Sequence, residues 1–463
     1  MGHETQHGNF FLAFRALRGP ARRGGRGISQ GQLRKDSMKS RCALPLLLPF
    51  AFAAALSGHS RQGRETKEPA AKEGKEAKVS SVKVLSCEAF DRFLEPANAA
   101  GEPAKRALVD DLVSCAGRLG TPLLERGTKP GLGRAIFLYR GPASKVMLSG
   151  DMTGLRPTEA LTPIAGTDLF YLVREFETDA RLDYKFVLND KDWVLDPLNP
   201  RTMVSGFGPN SNVEMPEYVR PAEVEYDARI PHGTLEDFTF TSKILNNTRV
   251  ARVYLPPSYA QSEARYRTLY VHDGTDYLNF AKINNVVDSL IHKKEIPPIL
   301  VVMVPPINRE QEYGNNPEFA RAFATELVPM IDRRYRTQAA PGSRATLGAS
   351  LGGLIAVFIG QNYPQVFGNV AGQSSGFFAE TSLEPLRNAP KINLVFHLDV
   401  GTYEANFHGR NLLEGNRRLR DLLREKNYRL QYKEVHEGHS WGSWRARIAD
   451  ALRFFWGTLP MKY

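Results

Sequence analysis

Residues 344–356 read Arg-Ala-Thr-Leu-Gly-Ala-Ser-Leu-Gly-Gly-Leu-Ile-Ala, and no other stretch restricts the fold so tightly. A short β-type run, Ala345 to Leu347, enters a Gly-x-Ser-x-Gly turn at Gly348, Ser350 and Gly352. A helix-like stretch, Leu351 to Gln361, leaves it. A serine between strand and helix is held in a strained backbone conformation, tolerated only if the residues two before and two after lack bulk. Gly348 and Gly352 meet that demand. The turn presents the serine Oγ at a helix N-terminus, where backbone N–H groups face a developing negative charge. In a chain with 39 glycines the five-residue pattern alone is weak, and a glycine-rich loop with an incidental serine is the alternative. The strand before and the helix after carry the argument.

The surroundings extend this unit. From about residue 225 onward, β-type runs alternate with helix-length segments. The runs are Arg252–Leu255, Leu269–His272, Ile299–Val304, Ala345–Leu347, Leu394–Asp399 and Leu430–Val435; helical stretches include Phe319–Tyr335 and Gly409–Lys426. That alternation predicts a mostly parallel α/β sheet over 225–463. Residues 130–218 differ. Ala135–Tyr139, Lys145–Leu148, Leu169–Val173 and Leu182–Leu188 are short β-type runs separated by Gly, Pro, Asp and Asn clusters, the pace of a small β-sandwich. Before them, 83–126 has helical apolar spacing. Phe90, Phe93 and Leu94 form one stripe and Leu108, Leu112 and Val113 another, broken at Gly101-Glu102-Pro103, which predicts a helical hairpin.

The chain has 463 residues, room for two or three domains, and a formal net charge of +11. Residues 1–80 hold 15 Lys/Arg against 6 Asp/Glu, so the remaining 383 residues carry only about +2. A nucleic-acid partner therefore has no basic face on the predicted folded part. From Met38 the sequence reads Met-Lys-Ser-Arg, then a 14-residue apolar run, Ala43–Leu56, then Ser57 and Gly58. This is the pattern of a signal peptide over 38–57, and the run is too short for an ordinary membrane span. Export, periplasmic or secreted, follows if translation starts near Met38. Residues 1–37 are then an upstream extension, and 58–82 a charged low-complexity linker. No later stretch is apolar enough to span a bilayer. Cys87 and Cys115 either pair, closing a loop of about 28 residues with a gain of about 3 kcal/mol, or are two small buried residues. Neither has metal-site spacing.

A serine hydroxyl needs a base to take its proton and a carboxylate to orient that base. Of ten histidines, His397, His408, His436 and His439 follow Ser350. His439, in Glu437-Gly438-His439-Ser440-Trp441 after the last strand candidate, is placed for a loop to return it over the serine; His436 is the weaker candidate. His436-Glu-Gly-His439 is one residue short of His-Glu-x-x-His, so no zinc site is read there. Two carboxylates qualify as the acid. Asp399 ends a strand candidate, and Glu404 lies five residues on in Gly401-Thr402-Tyr403-Glu404.

Seven segments together resemble the esterase family that includes enterochelin (iron–siderophore) and feruloyl esterases. They are Arg249–Tyr259, Tyr270-Val-His-Asp-Gly274, Arg309-Glu-Gln-Glu-Tyr313, Glu326–Asp332 with Tyr335, Gly348–Gly353, Gly401–Glu404 and Gly438-His-Ser-Trp-Gly-Ser-Trp444. The resemblance implies an α/β-hydrolase fold over 225–463, with Ser350 as nucleophile, His439 as base and an acid at the last position of Gly-Thr-x-Asp/Glu. That position is Glu404, a departure from the commoner Asp that keeps Asp399 in play. The oxyanion hole implied is the backbone N–H of Leu351 with a second donor near Gly274 or Thr275. Arg309 either contacts substrate or pairs with Glu312 beside the site. Trp441 and Trp444 read as packing residues. Residues 134–217, with Gly150-Asp151-Met-Thr-Gly154 and Trp193–Pro200, resemble the immunoglobulin-like domains of enterochelin esterases and glycogen-binding modules. One tryptophan, Trp193, favours a scaffold that shapes the cleft over a sugar-binding role.

The expectation is an exported serine esterase without metal or cofactor, acting through an acyl-enzyme on a small-molecule ester: siderophore, aryl or carbohydrate. An iron–siderophore ester is polyanionic, and Arg309, Arg321 and Arg410 are the basic candidates for it. An acyltransferase on the same site, or an inert hydrolase domain in a carbohydrate-binding protein, are the rival readings.

Overall fold

A computed structural model describes residues 89–206 and 208–458. The expected leader, upstream extension and linker, and Cys87 with its possible pairing to Cys115, lie outside the described residues. Two helices, Ala89–Ala99 and Glu102–Leu119, form the hairpin, the second opening at Gly101 with Pro103 in its first turn. Ten strands follow: β1 (Leu123–Arg126), β2 (Leu132–Arg140), β3 (Val146–Gly150), β4 (Glu159–Ala160), β5 (Thr162–Pro163), β6 (Leu169–Glu177), β7 (Arg181–Leu188), β8 (Asp192–Val194), β9 (Thr202–Met203) and β10 (Asn210–Glu214). They make two antiparallel sheets, β1-β2-β6-β5 and β4-β3-β7-β10-β9, with β8 alongside β7.

The run Ala135–Tyr139 shows how the layers are stacked. Side chains alternate across a strand, so Ala135, Phe137 and Tyr139 enter the core between the sheets with Leu148, Phe176, Leu182, Tyr184 and Phe186. Ile136 and Leu138 point the other way, onto Phe90, Val109 and Ala116 of the hairpin. Both faces of β2 are buried along this run, which is why Ala135–Tyr139 is continuously apolar instead of alternating. On β7 the inward Leu182, Tyr184 and Phe186 leave Arg181 and Asp183 on the opposite face, toward the C-terminal half.

That half is one eight-stranded sheet: β11 (Thr234–Ser242), β12 (Asn247–Leu255), β13 (Arg267–His272), β14 (Ile299–Val304), β15 (Arg344–Ala349), β16 (Asn369–Gln373), β17 (Val395–Gly401) and β18 (Arg429–Val435). Its order is β11-β12-β14-β13-β15-β16-β17-β18. The β11–β12 and β12–β14 pairings are antiparallel; from β14 to β18 all are parallel. Helices cover both faces, with apolar cores on each side. Among the described residues no helix is long and apolar enough to cross a membrane.

In this sheet the expected strands are present, but two others were not anticipated. β11 is a half-exposed edge strand rich in Thr, Glu and Asp. β16 is Asn-Val-Ala-Gly-Gln, buried throughout yet too small and polar to stand out. The single helix expected over Phe319–Tyr335 is instead Pro317–Ala322, a wide π turn Phe323–Leu327, and Val328–Arg334. Pro329 lacks an N–H to donate, which accounts for the break there.

His272, at the end of β13, is fully buried, with Nε2 against Thr346 Oγ1 at 2.9 Å. Burial, then the nearby Arg309, lowers its pKa to about 3. The unfolded chain therefore binds a proton that the folded one refuses, and stability should fall as pH drops from about 6.5 toward about 3. Urea unfolding across that range should show a shallower acid slope in His272→Gln; equal slopes would exclude this contribution.

Candidate active site

β15 delivers Ser350 to the C-terminal edge of the sheet, and the helix Leu351–Asn362 starts at the next residue. Ser350 sits at φ +57°, ψ −122°. A non-glycine residue held there costs about 1–3 kcal/mol and persists only where its surroundings impose it. They do so from both sides: Ser350 N–H donates to Gln373 O (2.9 Å), and Ser350 O accepts from Gly376 N–H (2.8 Å). Space requires glycine at 348 and favours it at 352. A Cβ on Gly348 would lie 2.2 Å from Gly352 O, and one on Gly352 would lie 3.0 Å from Asp273 Oδ2. Gly348→Ala should accordingly cost about 1–3 kcal/mol through overpacking, read as a lower urea midpoint; an unchanged midpoint would contradict the turn geometry.

β17 and β18 bring two further loops to the same edge. Glu404 is buried in the turn after Gly401, where Oε1 accepts from Gly401 N–H (2.8 Å) and Ser374 Oγ–H (2.6 Å). Its Oε2 lies 2.7 Å from His439 Nδ1. A carboxylate only accepts, so it favours the tautomer with the proton on Nδ1 and leaves Nε2 as the basic nitrogen. The imidazole packs against Phe407 (ring centroids 4.0 Å) and stands at right angles to the Trp444 ring (4.8 Å). Trp444 Nε1–H donates in turn to Ser374 Oγ (3.0 Å). Among the described residues no hydrogen bond joins Ser350 Oγ to His439, a contact that often tightens only when substrate is bound.

Of the two carboxylates left open by sequence, Glu404 is the one beside His439. Asp399 is fully buried and accepts from Arg447 Nε at 2.7 Å, while Arg447 Nη1 also donates to Glu437 (3.0 Å). Its charge is matched in an ion pair away from the imidazole. His436 lies on the exposed side, 2.6 Å from Asp179.

The loop after β13 borders the serine turn. Asp273 is in the left-handed region (φ +53°), Gly274 is buried, and Thr275 is exposed in the first turn of the helix Gly274–Asn279. A Cβ on Gly274 would meet the Met303 backbone at 2.2 Å. Leu351 opens the serine helix, where backbone N–H groups lack intrahelical partners. Arg309 stands between these two segments. Its Nε and Nη2 donate to Asp273 Oδ1 and Oδ2 (2.8 and 2.9 Å), and Nη2 also to Ala349 O (3.2 Å). The expected Arg309–Glu312 pair is not formed, because Glu312 takes both Nη atoms of Arg249 at 2.8 Å. Arg309 thus ties the β13 loop to the strand residue before the serine. Trp441 and Trp444 are buried, as packing residues should be.

Sequence reasoning did not find Ser374, Arg447 or the role of Asp151. Ser374 had no strand to anchor it once β16 was overlooked, and Arg447 reads as one arginine among many. Asp151 was noticed only within a module pattern, although its Oδ1 accepts the His439 backbone N–H (3.2 Å).

A strained serine, a buried carboxylate–imidazole pair and a 1-2-4-3-5-6-7-8 sheet are the features of an α/β-hydrolase. The sequence model of the family described as "Putative esterase" matches residues 242–455. The uncharacterized protein YjcH of Bacillus subtilis is 31% identical over 235 residues, 48% of this chain and 97% of that one. The chain belongs to this esterase family and is a carboxylic-ester hydrolase. The iron(III) enterobactin esterase of Escherichia coli K12 is 23% identical over 348 residues, 65% of this chain and 82% of that one. The crystal structure of an enterobactin esterase from Shigella flexneri superposes with a TM-score of 0.62 at 22% identity, covering 71% of this chain and 94% of that chain.

Proposed function

We propose that the protein is a serine esterase of the enterochelin-esterase type, acting through Ser350, His439 and Glu404. The observation that carries the reading is the buried 2.7 Å contact between His439 Nδ1 and Glu404 Oε2, at the sheet edge where the strained Ser350 also sits. In the proposed sequence, Ser350 Oγ attacks the ester carbonyl as His439 Nε2 takes its proton. Glu404 steadies the imidazolium so formed. The Leu351 N–H, with Gly274 or Thr275, stabilises the oxyanion. His439 then gives its proton to the departing alcohol, leaving an acyl-enzyme. Water, deprotonated by the same imidazole, attacks that ester and releases the acid and free Ser350.

An aryl or siderophore ester fits best. Phe407, which packs on His439, stacks with Phe378 at 6.4 Å between centroids, and the Arg410 guanidinium lies 5.2 Å from the Phe378 ring. Such a surface suits an aromatic, anionic acyl group. We read the β-sandwich as the immunoglobulin-like domain of such esterases, and the leader at 38–57 as an export signal, checked by N-terminal sequencing of the mature chain. The function is tested by a fluorophosphonate probe and a screen of p-nitrophenyl, feruloyl and siderophore esters. Labelling at Ser350 with turnover supports it; neither labelling nor turnover would end it.

A further inference from the structure

The loop that carries His439 is held from both halves of the molecule, and the contacts from the β-sandwich are these. Arg181 N–H donates to His436 O (3.0 Å), and Arg181 Nη1 donates to Ser440 Oγ (3.2 Å). Asp151 follows β3 and is 4% exposed. Its Oδ2 accepts from Asp183 N–H at 2.7 Å, and its Oδ1 from His439 N–H at 3.2 Å. Two glycines flanking the histidine have their explanation here. A Cβ on Gly438 would lie 2.0 Å from Asp151 Cγ, and one on Gly442 would lie 2.2 Å from Arg181 Nη2. The acid loop is treated alike: Tyr403 O–H donates to Glu177 (2.6 Å), and His408 N–H donates to Gly154 O (3.2 Å). By contrast, the Ser350 turn is braced by β16 and the loop after β13, within the C-terminal half.

We propose that Asp151, a residue of the β-sandwich, is a positioning residue for His439: its carboxylate fixes the histidine backbone and so sets where the imidazole meets Glu404. The sandwich then completes the catalytic site and is not an accessory module. Burial, then the like charge of Asp183, raises the Asp151 pKa, while the Asp183 N–H bond and the Arg181 charge act the other way and favour the carboxylate that accepts both N–H groups. Displacing a catalytic group by about 1 Å costs about 100-fold in rate, and loss of this anchor frees the His439 backbone to move on that scale.

The proposal rests on the esterase reading only for its kinetic arm. In the full-length chain, Asp151→Ala should lower kcat about 100-fold with KM within about two-fold. The downfield ¹H NMR resonance of the His439 Nδ1–H bonded to Glu404 should shift or vanish. Asp151→Asn keeps the volume but loses one acceptor, and should show the same changes in smaller measure. Asp179→Ala, which removes the exposed His436 contact on the same boundary, should change neither readout. A folded Asp151→Ala with parental kcat and an unmoved resonance would overturn the proposal. So would unfolding of both Asp151 variants, since the carboxylate would then be holding the fold instead of the loop. If the parent hydrolyses no ester, the resonance still decides the positioning role.

Discussion

Ser350→Ala is expected to lower ester turnover by about 10⁴-fold or more, with the urea midpoint close to that of the parent. The two halves of this expectation have separate causes. Alanine lacks the Oγ proposed to attack, and removing a nucleophile costs nearly all the catalysis that an assembled triad supplies. The backbone strain at φ +57° is the same for any residue with a Cβ, and the bonds to Gln373 and Gly376 use main-chain atoms. Stability therefore has no reason to change. Steady-state kinetics with a p-nitrophenyl ester and parallel urea unfolding check both. Full activity in a well-folded Ser350→Ala protein would remove the serine from the mechanism.

The second large effect separates the two carboxylates. Glu404→Gln is expected to reduce kcat by about 10⁴-fold without unfolding the chain. An amide keeps one acceptor oxygen. If that oxygen stays on Gly401 N–H and Ser374, its NH₂ faces His439 Nδ1, forces the other tautomer, and occupies Nε2 with a proton. Asp399→Asn should do the reverse. It leaves Arg447 buried with one of its two carboxylate partners gone, a change of about 3–5 kcal/mol in stability, while activity of the folded protein stays within about ten-fold. Kinetics and unfolding of both variants decide the matter. The opposite pattern, with Asp399→Asn inactive and stable, would transfer the orienting role to Asp399.

Asp399 and Glu404 also show where reading the chain stops. They are five residues apart, Asp399 within the end of β17 and Glu404 in the turn after it, and each is placed where it could reach a histidine. What separates them is Arg447, 48 residues beyond Asp399, whose guanidinium claims that carboxylate and leaves Glu404 for the imidazole. β16 was illegible for a related reason. Asn369-Val-Ala-Gly-Gln373 carries no strong strand signal, and it becomes a strand because β15 and β17 pair with it on both sides.

The local chain determined the serine turn, because Gly348, Ser350 and Gly352 act on one another within five residues and the strand and helix adjoin them. It also determined the alternating pattern that builds a parallel sheet, since periodicity in burial is written directly into side-chain order. Tertiary structure alone decided which carboxylate faces His439, why Gly438 and Gly442 are glycines, and that Asp151, 288 residues earlier, holds the histidine backbone. Those outcomes depend on contacts between segments whose separation along the chain bears no relation to their distance in space. Hydrogen bonding and steric exclusion act over a few ångströms, so they are settled only after the sheets have packed.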